Sequence, residues 1–156
     1  MKTAGRCFCG AIEYTAEIDA ERLAICHCRD CQIFSGSAFR TAAAVDPAKF
    51  RITKGTPRAF DKTADSGNVR RMLFCGDCGT HICSQPSDPS AEGAFVSLRW
   101  STSEDYAKLA PRAEIFCESK RAWMPALADT VRFERGARAA RSSEADGGTR
   151  PGRSPQ

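Results

Sequence analysis

Eight of the nine cysteines in this chain fall into three tight groups, and seven of them spell two metal-ligand sets. Cys7-Phe8-Cys9 comes first. Cys26-His27-Cys28-Arg29-Asp30-Cys31 follows, and Cys75-Gly76-Asp77-Cys78 closes the series, with Cys83 just beyond it. A C-x-C pair and a distant C-x-x-C pair supply four thiolates, enough to close a tetrahedral zinc site. The middle group supplies only three. A three-ligand site keeps one coordination position open, and that opening is where zinc chemistry or substrate capture takes place. The spacing therefore predicts one zinc that holds the fold, on Cys7, Cys9, Cys75 and Cys78. It predicts a second, labile zinc that works, on Cys26, Cys28 and Cys31.

Three thiolates narrow the chemistry further. Around a divalent ion they leave a formal charge of −1, so the ion is a weaker Lewis acid than one held by three histidines, and activating water is not its natural use. A soft, electron-rich zinc suits a fourth sulfur. A small thiol can coordinate there, lose its proton and attack, or leave as a thiolate when a carbon–sulfur bond breaks.

Composition sets the frame for that chemistry. A chain of 156 residues suits one domain, and 42% hydrophobic residues are enough for a core. The net charge of +4 is mild and by itself argues neither for nor against nucleic acid, whose usual footprint is a clustered basic surface; a nucleic-acid partner is not expected. No apolar run approaches the ~18 residues of a membrane span. The start, Met1-Lys2-Thr3-Ala4-Gly5-Arg6, lacks the apolar stretch of a secretory signal. The expectation is a cytoplasmic chain whose thiols stay reduced, so the cysteines read as metal ligands before disulfides. The oligomeric state is left open, an oligomer included.

The elements that must position the cysteines read as short strands. Ala11–Ala16, Phe39–Val45, Phe50–Thr53, Val69–Phe74, His81–Ser84, Ala94–Leu98, Ala113–Phe116 and Val131–Phe133 carry strand-like patterns, with frequent turn signals between them. One short helix is expected over Arg29–Phe34, ended by Ser35-Gly36. A second is expected over Ser103–Leu109, capped by Ser103 and stopped by Pro111. Strand followed by Cys-Gly-Asp-Cys-Gly is a knuckle, in which glycine lets the backbone turn back toward the thiolates. Residues 1–136 read as the folded unit. Residues 137–156 contain no aromatic, Leu, Ile or Val and read as a disordered tail, rich in Arg, Gly and Ser.

Gly5-Arg6-Cys7-x-Cys9-Gly10-Ala11-Ile12, Cys26-His27-Cys28-x-x-Cys31-x-x-x-Ser35-Gly36-Ser37 and Phe74-Cys75-x-x-Cys78-Gly79 together carry a resemblance. The chain resembles the family of glutathione-dependent formaldehyde-activating enzymes, which includes centromere-protein-V-like domains. Ile115 to Trp123 is similar to that family's late segment, and the match spans roughly residues 5 to 133. The resemblance implies a mainly β fold, with zinc-ribbon-like, tent-shaped sheets and one or two short helices. It implies the same two zincs: structural on Cys7, Cys9, Cys75 and Cys78, labile on Cys26, Cys28 and Cys31. It also implies carbon–sulfur lyase chemistry with glutathione as the thiol, the small-molecule partner being an adduct such as S-hydroxymethylglutathione.

Other residues near these motifs have two readings each. His27 is a pocket group able to move a proton, or a fourth ligand. His81, Cys83 and Cys117 are further ligands or simply buried side chains. Asp30 is a proton acceptor or a helix N-terminal acid. Ser35-Gly36-Ser37 is a ligand-facing turn or only a turn. Arg40, Arg99 and Lys120 are carboxylate binders or surface charges. Trp100 and Trp123 wall a pocket or pack a core. Against the enzyme stands a non-catalytic, zinc-stabilised binding module for a protein, microtubule or nucleic acid; a thiol or metal sensor is a third reading. A scaffold has little use for an under-coordinated zinc, which favours the enzyme.

Overall fold

The computed structural model describes residues 1–64 and 67–137. Among them eleven strands form two sheets. The smaller sheet has three antiparallel strands, β1 (Lys2–Arg6), β2 (Glu13–Glu17) and β5 (Phe50–Lys54), in the order β1-β2-β5. The larger adds β3 (Leu23–Cys26), β4 (Arg40–Val45), β6 (Arg58–Thr63), β7 (Val69–Phe74), β8 (His81–Pro86), β9 (Val96–Arg99), β10 (Ala113–Ile115) and β11 (Val131–Arg132). Its order is β11-β10-β3-β4-β9-β8-β7-β6, antiparallel except where β10 runs parallel to β3 and to β11. The expected mainly β class is what the chain adopts.

The core lies between the sheets. Tyr14 and Ala16 point down from β2, and Leu23, Ala43, Val45, Ile82, Leu98 and Val96 point up from the larger sheet. Period-two alternation places them there: Ala43 and Val45 face the core while Ala42 and Ala44 face away. Cys7 and Cys75 belong to this core cluster; Cys26, Cys28 and Cys31 do not.

Gly5 sits under the Tyr14 ring. A Cβ there would collide with the Tyr14 hydroxyl and lie 2.5 Å from the Thr102 carbonyl oxygen. Gly5→Ala is therefore expected to destabilise the domain by about 1–3 kcal/mol through overpacking, measurable by denaturant titration.

One α-helix is present among the described residues, α1 (Arg29–Ser35). It ends as expected at Gly36, in the left-handed conformation at φ 62°. The helix expected over Ser103–Leu109 is not formed. That stretch holds a 3₁₀ turn at Tyr106–Lys108, after another at Trp100–Thr102. Its backbone is diverted: Glu104 N–H donates to Ala4 O at 3.0 Å, and Gly5 bridges to Ser103. From residue 138 onward, the expected tail lies outside the described residues.

Candidate metal centres

The first centre is built from two matching knuckles. Cys7 N–H donates to Ile12 O at 3.0 Å, and Gly10 N–H to Cys7 O at 3.1 Å. In the second knuckle Cys75 N–H donates to Thr80 O at 2.9 Å, and Gly79 N–H to Cys75 O at 3.0 Å. Gly10 and Gly79 make the reversals at φ 75° and 70°, conformations that side chains with a Cβ rarely adopt. Phe8 N–H donates to Thr80 Oγ1 at 3.1 Å and stitches one knuckle to the other. The outcome is four sulfurs, from Cys7, Cys9, Cys75 and Cys78, all within 4.8 Å of one another.

Donor chemistry and spacing fit zinc. Bonds of about 2.3 Å in a tetrahedron put sulfurs about 3.8 Å apart. Cys7 and Cys9 sulfurs are 3.6 Å apart, and those of Cys9 and Cys75 are 3.7 Å apart. A disulfide needs about 2.05 Å, and all nine cysteines are free. Each knuckle lowers one thiol, Cys7 and Cys78, while at Cys9 the Ala11 amide lowers but the hydrogen bonds shared with Cys78 and Cys7 outweigh it and push the thiol up to about 12. Thr80, by its hydroxyl and then its amide, holds Cys78 down to about 5. Burial opposes ionisation at Cys7, but the Ile12 amide, 3.2 Å from its sulfur, and the hydrogen bonds from Cys9 and Cys75 together outweigh it and lower that thiol as well.

The second centre joins the end of β3 to the start of α1. Cys26 is the last residue of the strand, Cys28 is the helix N-cap, and Cys31 lies in the first turn. Their sulfurs lie within 4.8 Å of one another, Cys26 and Cys28 at 3.5 Å. Among the described residues no Asp, Glu, His or other Cys brings a ligand atom into this group. The trio shares its protons unequally. Cys28 accepts from Cys26 and Cys31 and is held down to about 2, with the charge of Arg40 adding to the effect. Cys26 is pushed far up by that sharing and then by burial. One thiolate thus stands ready beside two thiols.

The structure separates the two readings of each neighbouring residue. His27 is fully buried and turned away, with Nε2 3.0 Å from Glu114 Oε2. It is a support beneath the loop, not a ligand. Asp30 pairs with Lys62 at 2.8 Å on the surface. The Ser35 hydroxyl lies 2.6 Å from Cys31 O and 3.1 Å from Phe39 O as donor, so it helps close the helix. Cys83 is a core residue, and burial pushes its thiol up to about 12. Cys117 directs its sulfur at Glu114 O, 3.6 Å away. Trp100 packs in the core, while Trp123 stands 74% exposed. Lys120 is spent on Glu114 rather than on a ligand. Arg40 and Arg99 do reach the trio: both lie on its sheet face, and Arg99 is buried. His81 packs against Phe34 and Phe74. Burial, then Arg99 and Arg40, hold it near 4, so it is neutral at pH 7. A cavity of about 350 Å³ elsewhere, lined by Asp61, Val69, Arg71, Gln85 and Val96 among others, includes none of the seven ligand cysteines.

Glu114 is the residue the sequence reading passed over. It sits in the middle of β10, 1% exposed, and gathers His27, Lys120, the Leu127 amide at 3.0 Å and the Thr130 hydroxyl at 3.1 Å. A lone glutamate inside the run Ala-Glu-Ile-Phe was the available signal. Burial opposes its charge, but Lys120 and then His27 overcome that and hold its carboxyl at about 2. This depressed pKa stabilises the fold above pH ~4.5, and that contribution is lost as pH falls from there toward 2. Glu114→Ala strands buried partners, so it is expected to cost about 3–5 kcal/mol. Urea titration at pH 7 checks the size, and the acid limb of stability should flatten in the variant.

Comparison with known proteins agrees with this geometry. The family model described as "Glutathione-dependent formaldehyde-activating enzyme" matches residues 2–119. An uncharacterized lyase of Schizosaccharomyces pombe is 32% identical over 78 residues, which is 50% of this chain and 53% of that protein. The chain thus spans about half the length of the curated relative it matches. A crystal structure of a Rhodobacter sphaeroides protein superposes with a TM-score of 0.52 at 22% identity, covering 67% of this chain and 88% of that one; it supports the fold alone. No helix among the described residues is long and apolar enough to cross a membrane. With the family model matched across both knuckles and the middle trio, the chain belongs to the glutathione-dependent formaldehyde-activating enzyme family.

Proposed function

We propose that this protein is a cytoplasmic, zinc-dependent carbon–sulfur lyase acting on glutathione adducts of small aldehydes, S-hydroxymethylglutathione among them. The observation that carries the reading is the unequal supply of sulfur: four ligand atoms meet in one centre and only three in the other. Family membership and the lyase name of the S. pombe relative support the same reaction class.

Zinc bound by Cys26, Cys28 and Cys31 supplies a soft, open position that takes a thiolate. The chain's own residues do the rest. Cys28, held well below the ordinary thiol range by its neighbours' hydrogen bonds, gives up its proton most readily, and Cys26 and Cys31 must release theirs for the ion to bind. Arg40 and Arg99 put positive charge beside the trio, which favours a further thiolate there. Glu114 holds His27 and so keeps the loop between Cys26 and Cys28 in shape. In the forward direction a sulfur–carbon bond forms, and the thiol's proton ends on the aldehyde oxygen. In reverse the adduct's hydroxyl gives up its proton, the carbonyl re-forms as the carbon–sulfur bond breaks, and the sulfur leaves with the bonding electrons and takes up that proton.

The test combines metal counting with adduct exchange. Two zincs per chain are expected, one on each cysteine group. Exchange between formaldehyde, glutathione and the adduct, followed by NMR, should accelerate in proportion to protein. A single tight zinc, with no response to thiol, would instead favour a zinc-stabilised binding module.

A further inference from the structure

The face of the larger sheet turned away from the core carries a row of arginines that the trio alone does not explain. Paired residues, and residues two apart along a strand, share a face. Cys26 pairs with Arg40, Ala42 with Arg99, and Ala44 with Ser97. Ser97 pairs with Ser84, and Ser84 with Met72, two residues from Arg70. Arg40, Arg99 and Arg70 therefore line one face that begins at the three-cysteine centre.

Each guanidinium is pinned by one terminal nitrogen to neutral oxygens. Arg40 Nη2 donates to Ser97 Oγ at 2.8 Å, and Arg99 Nη2 to Phe34 O at 3.2 Å. Arg70 Nη2 donates to Ser84 O at 2.9 Å, to Ser84 Oγ at 3.1 Å and to Phe95 O at 3.1 Å, with the guanidinium 4.9 Å above the Phe95 ring. Arg40 Nε is buried and has no partner. No carboxylate among the described residues lies within ion-pair distance of any of the three, whereas ten ion pairs form elsewhere. Partly buried cations without an anion are costly to keep. The loaded trio, at formal charge −1, offsets one of them, and a bound thiolate a second. Arg70, farthest along the row, is left over.

We propose that Arg40, Arg99 and Arg70 form an anion subsite that selects thiols bearing a carboxylate. In it Arg40 and Arg99 balance the loaded trio together with its incoming thiolate, and Arg70 takes the carboxylate. The proposal rests on the lyase reading for its substrate but has a test independent of turnover. With Nη2 occupied, Arg70 still offers its Nε–H and Nη1–H donors and a fixed positive charge to a carboxylate, whereas glutamine lacks the charge and lysine lacks the fixed donor directions.

The binding arm uses S-methylglutathione, which keeps both carboxylates and has no free thiol. Calorimetry should show that it binds the zinc-loaded native protein. Its Kd should rise about tenfold or more in Arg70→Gln and less in Arg70→Lys. The kinetic arm compares formaldehyde adducts of glutathione and of uncharged 2-mercaptoethanol. Arg70→Gln should raise KM for the first with little change in kcat, and leave the second as it is in the native protein. A loss shared equally by both adducts would mark Arg70 as structural, and equal binding of S-methylglutathione by native and variant protein would also overturn the subsite. If the binding arm succeeds and neither adduct turns over, the lyase reading fails and the subsite stands.

Discussion

Cys28→Ser is expected to leave the domain folded while reducing adduct turnover by more than about 100-fold. Replacing mere supports of a metal ligand typically costs ~10–100-fold, and the ligand itself should cost more. Cys28 is the sulfur of the trio that loses its proton most readily, because it accepts hydrogen bonds from both neighbours. Serine offers no comparable anion at neutral pH and leaves two sulfurs, too few to retain the ion against solvent. The fold should survive because none of the trio belongs to the core cluster between the sheets. Activity, zinc content and thermal melting on one preparation check this. One zinc per chain, a nearly native melting curve and no turnover are expected.

Cys75→Ser is expected to do the opposite and abolish cooperative folding. Cys75 is 1% exposed and belongs to the core. Its sulfur lies 3.7 Å from that of Cys9, 66 residues away in the chain. A metal on the two knuckles closes that long loop, and its binding energy becomes folding energy. Structural zinc in such sites is worth roughly 10–16 kcal/mol, as much as the whole stability of a typical domain, about 5–15 kcal/mol. Loss of the unfolding transition in circular dichroism, with loss of both zincs, is the expected result. The contrast between the two cysteine variants separates scaffold from reaction centre.

Each cysteine pair, and the middle trio, was legible in the sequence because C-x-C and C-x-x-C spacing is local, and the glycines after Cys9 and Cys78 mark the reversals. The meeting of Cys7 and Cys9 with Cys75 and Cys78 is a long-range contact that the count of four thiolates suggested and the fold supplies. Strands with clear alternation, such as Val69–Phe74, were legible for the same reason. β1 was not, because its buried positions are Thr3 and Gly5, which carry no apolar signal. β6 was not, because as an edge strand it is exposed at all but Lys62. The Ser103–Leu109 helix failed because its first residues, Ser103 and Glu104, bond to β1, and the rest closes only a 3₁₀ turn at Tyr106–Lys108. Glu114 and Arg70 stayed hidden for a different reason. Each acquires meaning only when strand order sets it beside His27 or beside the arginine row. Lys120, a carboxylate binder or a surface charge by its sequence, found its carboxylate inside the chain.

The open position on the three-cysteine centre is tested most directly by cobalt in place of zinc. Cobalt(II) reports sulfur ligation through its thiolate charge-transfer band. Titrating glutathione into the cobalt-loaded protein should strengthen that band, saturating at one thiol per chain, and Cys28→Ser should lose the response. A spectrum indifferent to glutathione, with both centres loaded, would show a coordination shell with no room for a substrate sulfur.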